Sequence, residues 1–505
     1  IDPKLKERGH KLNEQLNQKF SHQIRLYSGN PTQSQIETLN SEIETLTRDL
    51  QMVEAEIRRQ NPQSVTLTQP TPPGVAEIRR LLDAETALLE FQLGAERSYL
   101  WVIDQTSIKT FELPGKEAIE SGIQRFQMAI TARTQSIRFE TLDKKAARLA
   151  QADQECTLIL EHLSRQLLGQ LPSPMIWKRL VIVPDGGLHY LPFSAVPVPP
   201  HLTSQRLARN VKAFPDHLRA PRHPLLVDDH EVVVLPSAAT LVQLRQKPMS
   251  SGFTQRPILV FADPVFDVRD PRVSHQGAFA QKRPSASTQE PSKSWEVLWS
   301  AAREVGFDGK FLRLPRLIHT RDEALGIAGL VPPGKCRQVL DFDASYSQVV
   351  NLELSQFSTI HFATHGFLPP QSPECAGIVL SLVDKEGHPC DGFLGVPQIF
   401  NLRLNAELVV LSGCRTGLGK QIKGEGIVGL TRSLMYAGAR RVAVSLWDIH
   451  DEATAALMIH FYRELLVNHQ SPAAALRAAQ LALRSSKRWA SPYFWSGFIL
   501  QGEFR

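Results

Sequence analysis

Ser358-Thr-Ile-His-Phe-Ala-Thr-His365-Gly366 and Ala406-Glu-Leu-Val-Val-Leu-Ser-Gly413-Cys414 are the two segments that decide the fold. Each is a run of β-branched and apolar residues that stops at a glycine, which is typical of a buried parallel strand. In an open α/β sheet, reactive groups collect at the carboxyl ends of neighbouring strands. We therefore expect His365 and Cys414 to face the same crevice.

Strands and helices alternate on both sides of these segments. Alternation at this spacing predicts an α/β fold, with a mostly parallel sheet and helices on both of its faces. The expected strands are 257–263, 337–342, 358–364, 407–412, 441–446 and 494–500, and the expected helices are 321–330, 345–354, 426–437, 452–467 and 472–484. Between the first strand and the first helix, residues 267–294 are rich in Ser, Gln, Arg and Pro, which predicts a mobile loop.

The chain divides into three regions. In residues 1–75, apolar residues recur at steps of three and four from Leu39 to Ile57, which predicts helices, and a Pro-rich linker follows. Residues 76–248 form a first α/β half that opens with three strand-like runs, and residues 249–505 form a second. The helical region is either a packed pair of helices or the end of a longer helical repeat array. Because the chain begins with Ile1 rather than Met, we expect that an upstream segment is missing.

Composition excludes several classes of function. The net charge of +6 is spread over 505 residues without a Lys/Arg-rich run, so we expect no direct contact with nucleic acid. No apolar stretch approaches the ~18 residues that a membrane helix needs. Five cysteines scattered over this length predict a reducing compartment rather than a disulfide framework, and hence a cytoplasmic location.

His365 and Cys414 have the chemistry of a catalytic pair. An adjacent imidazole converts a thiol into the reactive thiolate, and backbone N–H groups can stabilise the oxyanion that then forms. The backbones of Gly366 and Cys414 are the candidate oxyanion donors. The pair lies 414 − 365 = 49 residues apart, close to the roughly 50 residues that separate the catalytic His and Cys of caspases. For either residue alone the structural interpretation is favoured, since a free Cys is usually buried and inert. Their pairing, each at a strand end flanked by glycine, favours catalysis instead.

Neither a metal nor a nucleotide is predicted. His361, His365, Cys375, His388 and Cys390 are soft ligands within thirty residues, but their spacing matches no zinc pattern. The glycines at 417, 419, 424 and 426 are not followed by Gly-Lys-Ser/Thr, so they do not form a phosphate-binding loop. We interpret them as part of a mobile loop beside the site, and we expect no cofactor.

Three motifs of the second half occur together: Ala363-Thr-His365-Gly366, Leu411-Ser-Gly-Cys414-Arg-Thr-Gly-Leu-Gly419 and Ser445-Leu-Trp-Asp448-Ile-His-Asp451. With other motifs along the chain they resemble the CHAT protease domain, a caspase-like domain commonly found behind tetratricopeptide repeats, and the resemblance covers roughly residues 76–505. Separase, a relative, shares the Leu-Trp-Asp-x-x-Asp pattern. The resemblance implies a caspase–hemoglobinase fold of clan CD cysteine peptidases, with a non-catalytic half at 76–248 and an active half at 249–505. It also implies a His365–Cys414 dyad.

The resemblance suggests where substrate binds. In caspases, an arginine at the end of the first strand of the sheet grips a substrate aspartate. Here Asp263 ends the corresponding strand, and Asp448 and Asp451 follow a later one. Acidic groups there would bind a basic P1 side chain by charge-assisted hydrogen bonds. The alternative for Asp451 is to cap the helix that begins at Glu452.

The sequence therefore predicts a cysteine endopeptidase that cleaves protein substrates after a basic residue. A regulatory protein, or the upstream helical repeat region, is the expected partner that gates it. Lys282-Arg283, within the 267–294 loop, is a candidate self-cleavage site. The alternatives are a catalytically idle, caspase-like interaction scaffold and a zinc-dependent hydrolase.

Overall fold

The computed structural model describes residues 73–203 except 136 and 138, and residues 224–246, 253, 256–274, 314–367, 376–415 and 425–505, with scattered helical positions between 8 and 53. Side chains are not described for Cys414, Arg415 and residues 425–428. Most of the predicted 1–75 helical region, most of the 267–294 loop with Lys282 and Arg283, Cys375, and the glycines at 417, 419 and 424 lie outside the described residues.

The strands of the described chain are β1 Thr86–Gln92, β2 Arg97–Ile103, β3 Ile108–Pro114, β4 Arg179–Val183, β5 Glu231–Val234, β6 Ile258–Pro264, β7 Cys336–Asp341, β8 Thr359–Ala363, β9 Gly366–Phe367, β10 Gly377–Val379, β11 Phe393–Gly395, β12 Leu408–Leu411, β13 Cys414–Arg415, β14 Arg441–Ser445 and β15 Phe498–Gly502. Its helices are α1 Val75–Leu81, α2 Lys116–Ile130, α3 Leu142–Leu168, α4 Leu226–Asp229, α5 Ala238–Gln246, α6 His319–Ala328, α7 Tyr346–Asn351, α8 Val396–Phe400, α9 Glu425–Ala437, α10 Asp451–Leu466, α11 Pro472–Ser485 and α12 Pro492–Trp495.

One large sheet organises the fold. Its 11 strands lie in the order β3-β2-β1-β4-β5-β15-β14-β12-β8-β6-β7. Every residue of β6, β8, β12, β14 and β15 is buried, so both faces of this part of the sheet are covered. Most neighbouring strands are parallel. The predicted α/β class with a mostly parallel sheet is confirmed.

Strand β15 joins two blocks of parallel strands that run in opposite directions. It pairs with β14 in antiparallel fashion over five residue pairs, and with β5 in parallel fashion through Gln501 and Val234. The carboxyl ends of β4 and β5 therefore lie at one edge of the sheet, and those of β8 and β12 at the opposite edge. The carboxyl ends of β1, β4 and β5 therefore cannot contribute to a crevice at the carboxyl ends of β8 and β12.

The last predicted strand is displaced along the chain. Residues 494 and 495, predicted as its beginning, belong to the short helix α12, and β15 begins only at Phe498. Pro492 occupies the first helical position, where its fixed φ and missing N–H are tolerated. The apolar and aromatic composition that resembles a strand here instead fills the core, since Tyr493 and Trp495 are buried.

Candidate active site

The backbone brings the predicted catalytic pair onto adjacent chain segments. Strands β8 and β12 are parallel neighbours with Phe362 opposite Leu411. Beyond their ends, β9 and β13 pair in a second, 4-stranded sheet in which Gly366 lies opposite Cys414. The Gly366 N–H donates to the Gly413 carbonyl at 2.9 Å. The residue after His365 and the residue before Cys414 are thus in direct contact.

Gly413 is required by this close approach. A Cβ atom at position 413 would lie 2.0 Å from the carbonyl oxygen of Thr364, far inside van der Waals contact. Since glycine alone lacks that atom, it lets the two backbones meet at this point. The side chain of Thr364 also holds this segment in place, because its hydroxyl donates a hydrogen bond to the Val379 carbonyl on β10.

The His365 ring is buried and held on two sides. Its centroid lies 5.1 Å from that of Phe266, and its Nε2 lies 2.8 Å from the carbonyl oxygen of Pro315. A carbonyl oxygen only accepts, so Nε2 carries the proton in this contact. In the neutral ring, Nδ1 is then the nitrogen that can take a proton.

Pro315 is a site residue that the sequence does not reveal. It acts through its backbone carbonyl, which every residue has, and it lies 50 positions before His365. The backbone of His365 is also fixed, since its carbonyl accepts from the Val379 N–H at 2.8 Å. Neither contact can be located from the sequence, because Pro315 and Val379 lie on other chain segments and both act through backbone atoms.

A buried polar cluster lies around His361 on β8, four residues before His365. The Nδ1 atom of His361 is 3.0 Å from the Tyr462 hydroxyl, and its Nε2 is 2.8 Å from Oε1 of Glu323. Burial raises the pKa of Tyr462 well above its usual value, so this hydroxyl stays protonated. His361, considered above as a metal ligand, thus has both ring nitrogens against protein groups and links β8 to α6 and α10.

Asp263 lies at the end of β6 within a cluster of charged groups. The arginine cluster, as we call it, consists of Asp263, Asp270, Asp341, Arg272, Arg316 and Arg321. It contains three carboxylates and three guanidinium groups, so the charges balance. Asp263 and Asp341 both have positive φ angles, of 50° and 56°, which are uncommon for residues other than glycine but best tolerated by Asp and Asn.

Both oxygens of the Asp263 carboxylate are in contact with these arginines. Its Oδ1 accepts from Arg316 Nε at 2.8 Å and lies 3.1 Å from Arg272 Nη1. Its Oδ2 accepts from Arg316 Nη2 at 2.7 Å and Arg321 Nε at 2.8 Å. Two carboxylate oxygens offer about four lone-pair positions, and all are engaged. The structure therefore gives Asp263 no open oxygen for a substrate side chain, which argues against the pocket role expected for it.

Asp451 also has a partner in the protein. It is the first residue of α10 rather than its cap, and its Oδ2 accepts from the backbone N–H of His319 at 2.9 Å, at the start of α6. Burial raises the pKa of this carboxyl above its usual value. Asp448 is half-buried after β14, and its carbonyl accepts from the Tyr493 hydroxyl.

The matches to known proteins define the family. The model of the CHAT domain matches residues 153–503, and this chain belongs to the CHAT domain family. The predicted membership is thereby confirmed. Tetratricopeptide repeat protein 28 of Mus musculus is 35% identical over 109 residues, which are 22% of this chain and 4% of that protein. Its Homo sapiens counterpart is 29% identical over 196 residues, which are 33% and 8%. The chain thus spans less than a tenth of either relative.

Two solved structures align with this chain at low sequence identity. The Saccharomyces cerevisiae separase–securin complex aligns with a TM-score of 0.47 and 8% identity, covering 84% of this chain and 30% of that one. The Arg-specific cysteine proteinase gingipain R aligns with a TM-score of 0.33 and 11% identity, covering 77% and 75%. The family assignment rests on the CHAT match alone.

No helix in the described part of the chain is long and apolar enough to cross a bilayer.

Proposed function

We propose that this chain is a cysteine endopeptidase in which His365 activates Cys414. The observation that carries the proposal is the pairing of Gly366 with Cys414, because it sets the two reactive residues on adjacent segments at the carboxyl ends of β8 and β12. The contact between His365 Nε2 and the Pro315 carbonyl supports it, since it selects the tautomer that a general base needs.

The proposed reaction follows from that tautomer. His365 Nδ1 takes the proton of the Cys414 thiol, and the thiolate attacks the carbonyl carbon of the scissile peptide bond. The C–N bond then breaks, the imidazolium returns its proton to the leaving amine, and an acyl-enzyme remains on sulfur. Water, deprotonated by the same imidazole, attacks the thioester and releases the acid and the thiol.

Oxyanion stabilisation would require a rearrangement. The backbone N–H groups of Gly366 and Cys414 are the proposed donors, and one such donor is worth about 100- to 1000-fold in rate. In this structure the Gly366 N–H donates to the Gly413 carbonyl instead. We propose that substrate, or a regulatory partner, releases this hydrogen bond. The upstream helical repeat region is a candidate for that partner, and the match to tetratricopeptide repeat proteins supports it.

The proposed substrate is a protein cleaved after a basic residue, in a reducing, cytoplasmic setting. The Asp263 carboxylate is already hydrogen-bonded to arginines, so we assign the preference for a basic P1 residue to Asp448 and Asp451. Asp451 follows β14, a neighbour of β12, and lies against the first turn of α6. A carboxylate there would bind an arginine or lysine side chain by charge-assisted hydrogen bonds.

The test is covalent labelling of the purified chain with a peptide electrophile that carries P1 Arg, followed by mass spectrometry. Labelling is expected at Cys414, and it should be lost in Cys414→Ala and strongly slowed in His365→Ala. Cys390→Ala is the matched control, since burial raises the pKa of the Cys390 thiol and makes it a poor nucleophile. Equal labelling of Cys390 and Cys414, or no effect of His365→Ala, would contradict the proposal.

The alternative function is an idle interaction scaffold. The hydrogen bond that occupies the Gly366 N–H favours it, because a permanently closed oxyanion site would not turn over substrate. A Cys414→Ala variant separates the two functions. If its biological output equals that of the wild type, the fold serves as a scaffold, whereas loss of output supports catalysis.

A further inference from the structure

We propose that Asp263 is a positioning residue for the catalytic base, acting on His365 through Arg316 and Pro315. The inference rests on the proposed function, because it assigns His365 as that base. It gives the Asp263 carboxylate a role in orienting the histidine, whereas the sequence suggested a role in binding substrate.

A continuous series of contacts connects the two residues. The guanidinium of Arg316 donates to both oxygens of Asp263, at 2.8 and 2.7 Å. The preceding residue, Pro315, accepts from His365 Nε2 at 2.8 Å. A planar guanidinium with two parallel hydrogen bonds fixes direction as well as distance. The orientation of the imidazole therefore depends on where this fork holds the backbone of residues 315 and 316.

The Pro315 carbonyl needs such an anchor. Pro315 is exposed, so packing around its own ring does not fix it. Buried Leu314 holds the chain on one side, and the Arg316 side chain, 34% exposed, reaches inward to a fully buried carboxylate on the other. A carbonyl that drifted from the ring would release the Nε2 proton and allow the wrong tautomer.

Asp263 is itself fixed more firmly than a surface acid. Its N–H donates to the Thr320 hydroxyl at 3.1 Å, and its carbonyl accepts from Arg272 Nη1 at 2.7 Å. Its φ of 50° lies in the left-handed region, which a residue other than glycine keeps only when its surroundings hold it there. The carboxylate is thus presented to Arg316 from a rigid strand end.

Asp341 provides a matched control within the same cluster. It too has a positive φ and is bonded to Arg272 at 2.7 Å and to Arg321, but its recorded partners do not include Arg316. Asp→Asn preserves shape at either position and tolerates the left-handed backbone. At position 263, however, the amide NH2 group would point at a guanidinium and break the fork. At position 341 the Arg316 fork would remain.

The experiment compares the variants Asp263→Asn, Arg316→Lys and Asp341→Asn in the full chain. It measures the pH profile of Cys414 alkylation by iodoacetamide, kcat and KM on a P1-Arg peptide, and the thermal midpoint. Asp263→Asn and Arg316→Lys are expected to raise the apparent pKa of Cys414 alkylation and to lower kcat on the order of 10- to 100-fold, with KM little changed. Asp341→Asn is expected to keep the wild-type pH profile.

Three outcomes overturn the inference. The first is a wild-type pH profile in Arg316→Lys. This variant should fold, because Arg316 is partly exposed, so it tests the inference even if Asp263→Asn does not fold. Equal shifts in Asp341→Asn and Asp263→Asn would show a merely structural role. If the wild-type chain itself shows no His365-dependent alkylation of Cys414, the proposed function fails as well, so the two failures are distinguishable.

Discussion

His361 Nε2 lies 2.8 Å from Oε1 of Glu323, and neither side chain has any exposure to solvent. His361 lies on β8, four residues before His365, which follows the end of that strand, so the contact fixes the strand that leads to the proposed base to helix α6. The Tyr462 hydroxyl holds the other ring nitrogen from α10. Buried polar groups are tolerated when they satisfy one another and are costly when one partner is lost.

Glu323→Ala is therefore expected to lower the free energy of unfolding by about 1–3 kcal/mol, because it leaves the buried His361 Nε2 without the carboxylate beside it. Tyr462→Phe, which removes one hydrogen bond, should cost about 1 kcal/mol. The control is Glu452→Ala, since its partner Arg488 is 61% exposed and such surface pairs contribute less than about 1 kcal/mol. Urea unfolding measures all three, and an effect of Glu323→Ala as small as that of Glu452→Ala would contradict the prediction.

Gly413→Ala is expected to separate the two segments of the site. Its Cβ would meet the Thr364 carbonyl at 2.0 Å, so the backbone must move. We expect a loss of stability of about 1–3 kcal/mol and a fall in kcat/KM on the order of 100-fold. Gly429→Ala in α9 is the control, because no described atom outside its own helix lies within 4 Å of its added Cβ and alanine favours a helix. Full activity in Gly413→Ala would refute the assigned geometry.

Glu503→Gln is expected to reduce stability in a pH-dependent way. Burial alone would raise the pKa of Glu503, but hydrogen bonds and charge from Arg245 lower it below its usual value of 4.5. A carboxyl whose pKa is lowered by folding stabilises the protein above that usual value, and the contribution is lost as pH falls through the lowered pKa.

The thermal midpoint of Glu503→Gln should therefore lie below that of the wild type at pH 7, and the difference should shrink as the pH falls below about 4. Glu112→Gln is the control, since the Glu112 side chain is 58% exposed and its carboxylate pairs with the exposed Arg97. A midpoint difference for Glu503→Gln that is constant from pH 7 to pH 3 would show that the Arg245 contact does not depend on charge.

Asp448→Asn and Asp451→Asn test the basic P1 preference. Asp451→Asn keeps an oxygen to accept from the His319 N–H, so the helix contact should survive. Loss of a charge-assisted hydrogen bond to substrate, worth about 1.5–3 kcal/mol, should lower kcat/KM for a P1-Arg peptide roughly 10- to 150-fold. Cleavage of the matched peptide with neutral citrulline at P1 should be unchanged. If neither substitution lowers cleavage of the P1-Arg peptide relative to cleavage of the citrulline peptide, these residues do not form the pocket.

The sequence predicts the central strands well and the site only in part. Strands such as β8 and β12 are buried on both faces, so they appear as continuous apolar runs whose ends can be located from sequence alone. The short strands β9 and β13, with two residues each, are too brief for any periodic pattern. Yet these are the strands that bring Gly366 next to Cys414.

Contacts between residues far apart in the chain explain why the sequence does not reveal the rest of the site. Asp263 is visible in the sequence as an acid at a strand end, but Arg316 and Arg321 lie 53 and 58 positions away. Ion pairs formed at that separation leave no local pattern, so the carboxylate looked available for substrate. The Pro315 carbonyl was missed for the same reason, with the added difficulty that a backbone acceptor has no signature in residue type.

The position of β15 has a consequence for the order in which the molecule is assembled. Residues 498–502 lie between β5 and β14 in the sheet, yet they follow every other described strand along the chain. During synthesis on the ribosome, the strands of both halves emerge before the one that connects them. The eleven-stranded sheet can therefore be completed only after translation has passed residue 502, however early the segments carrying His365 and Cys414 have been made.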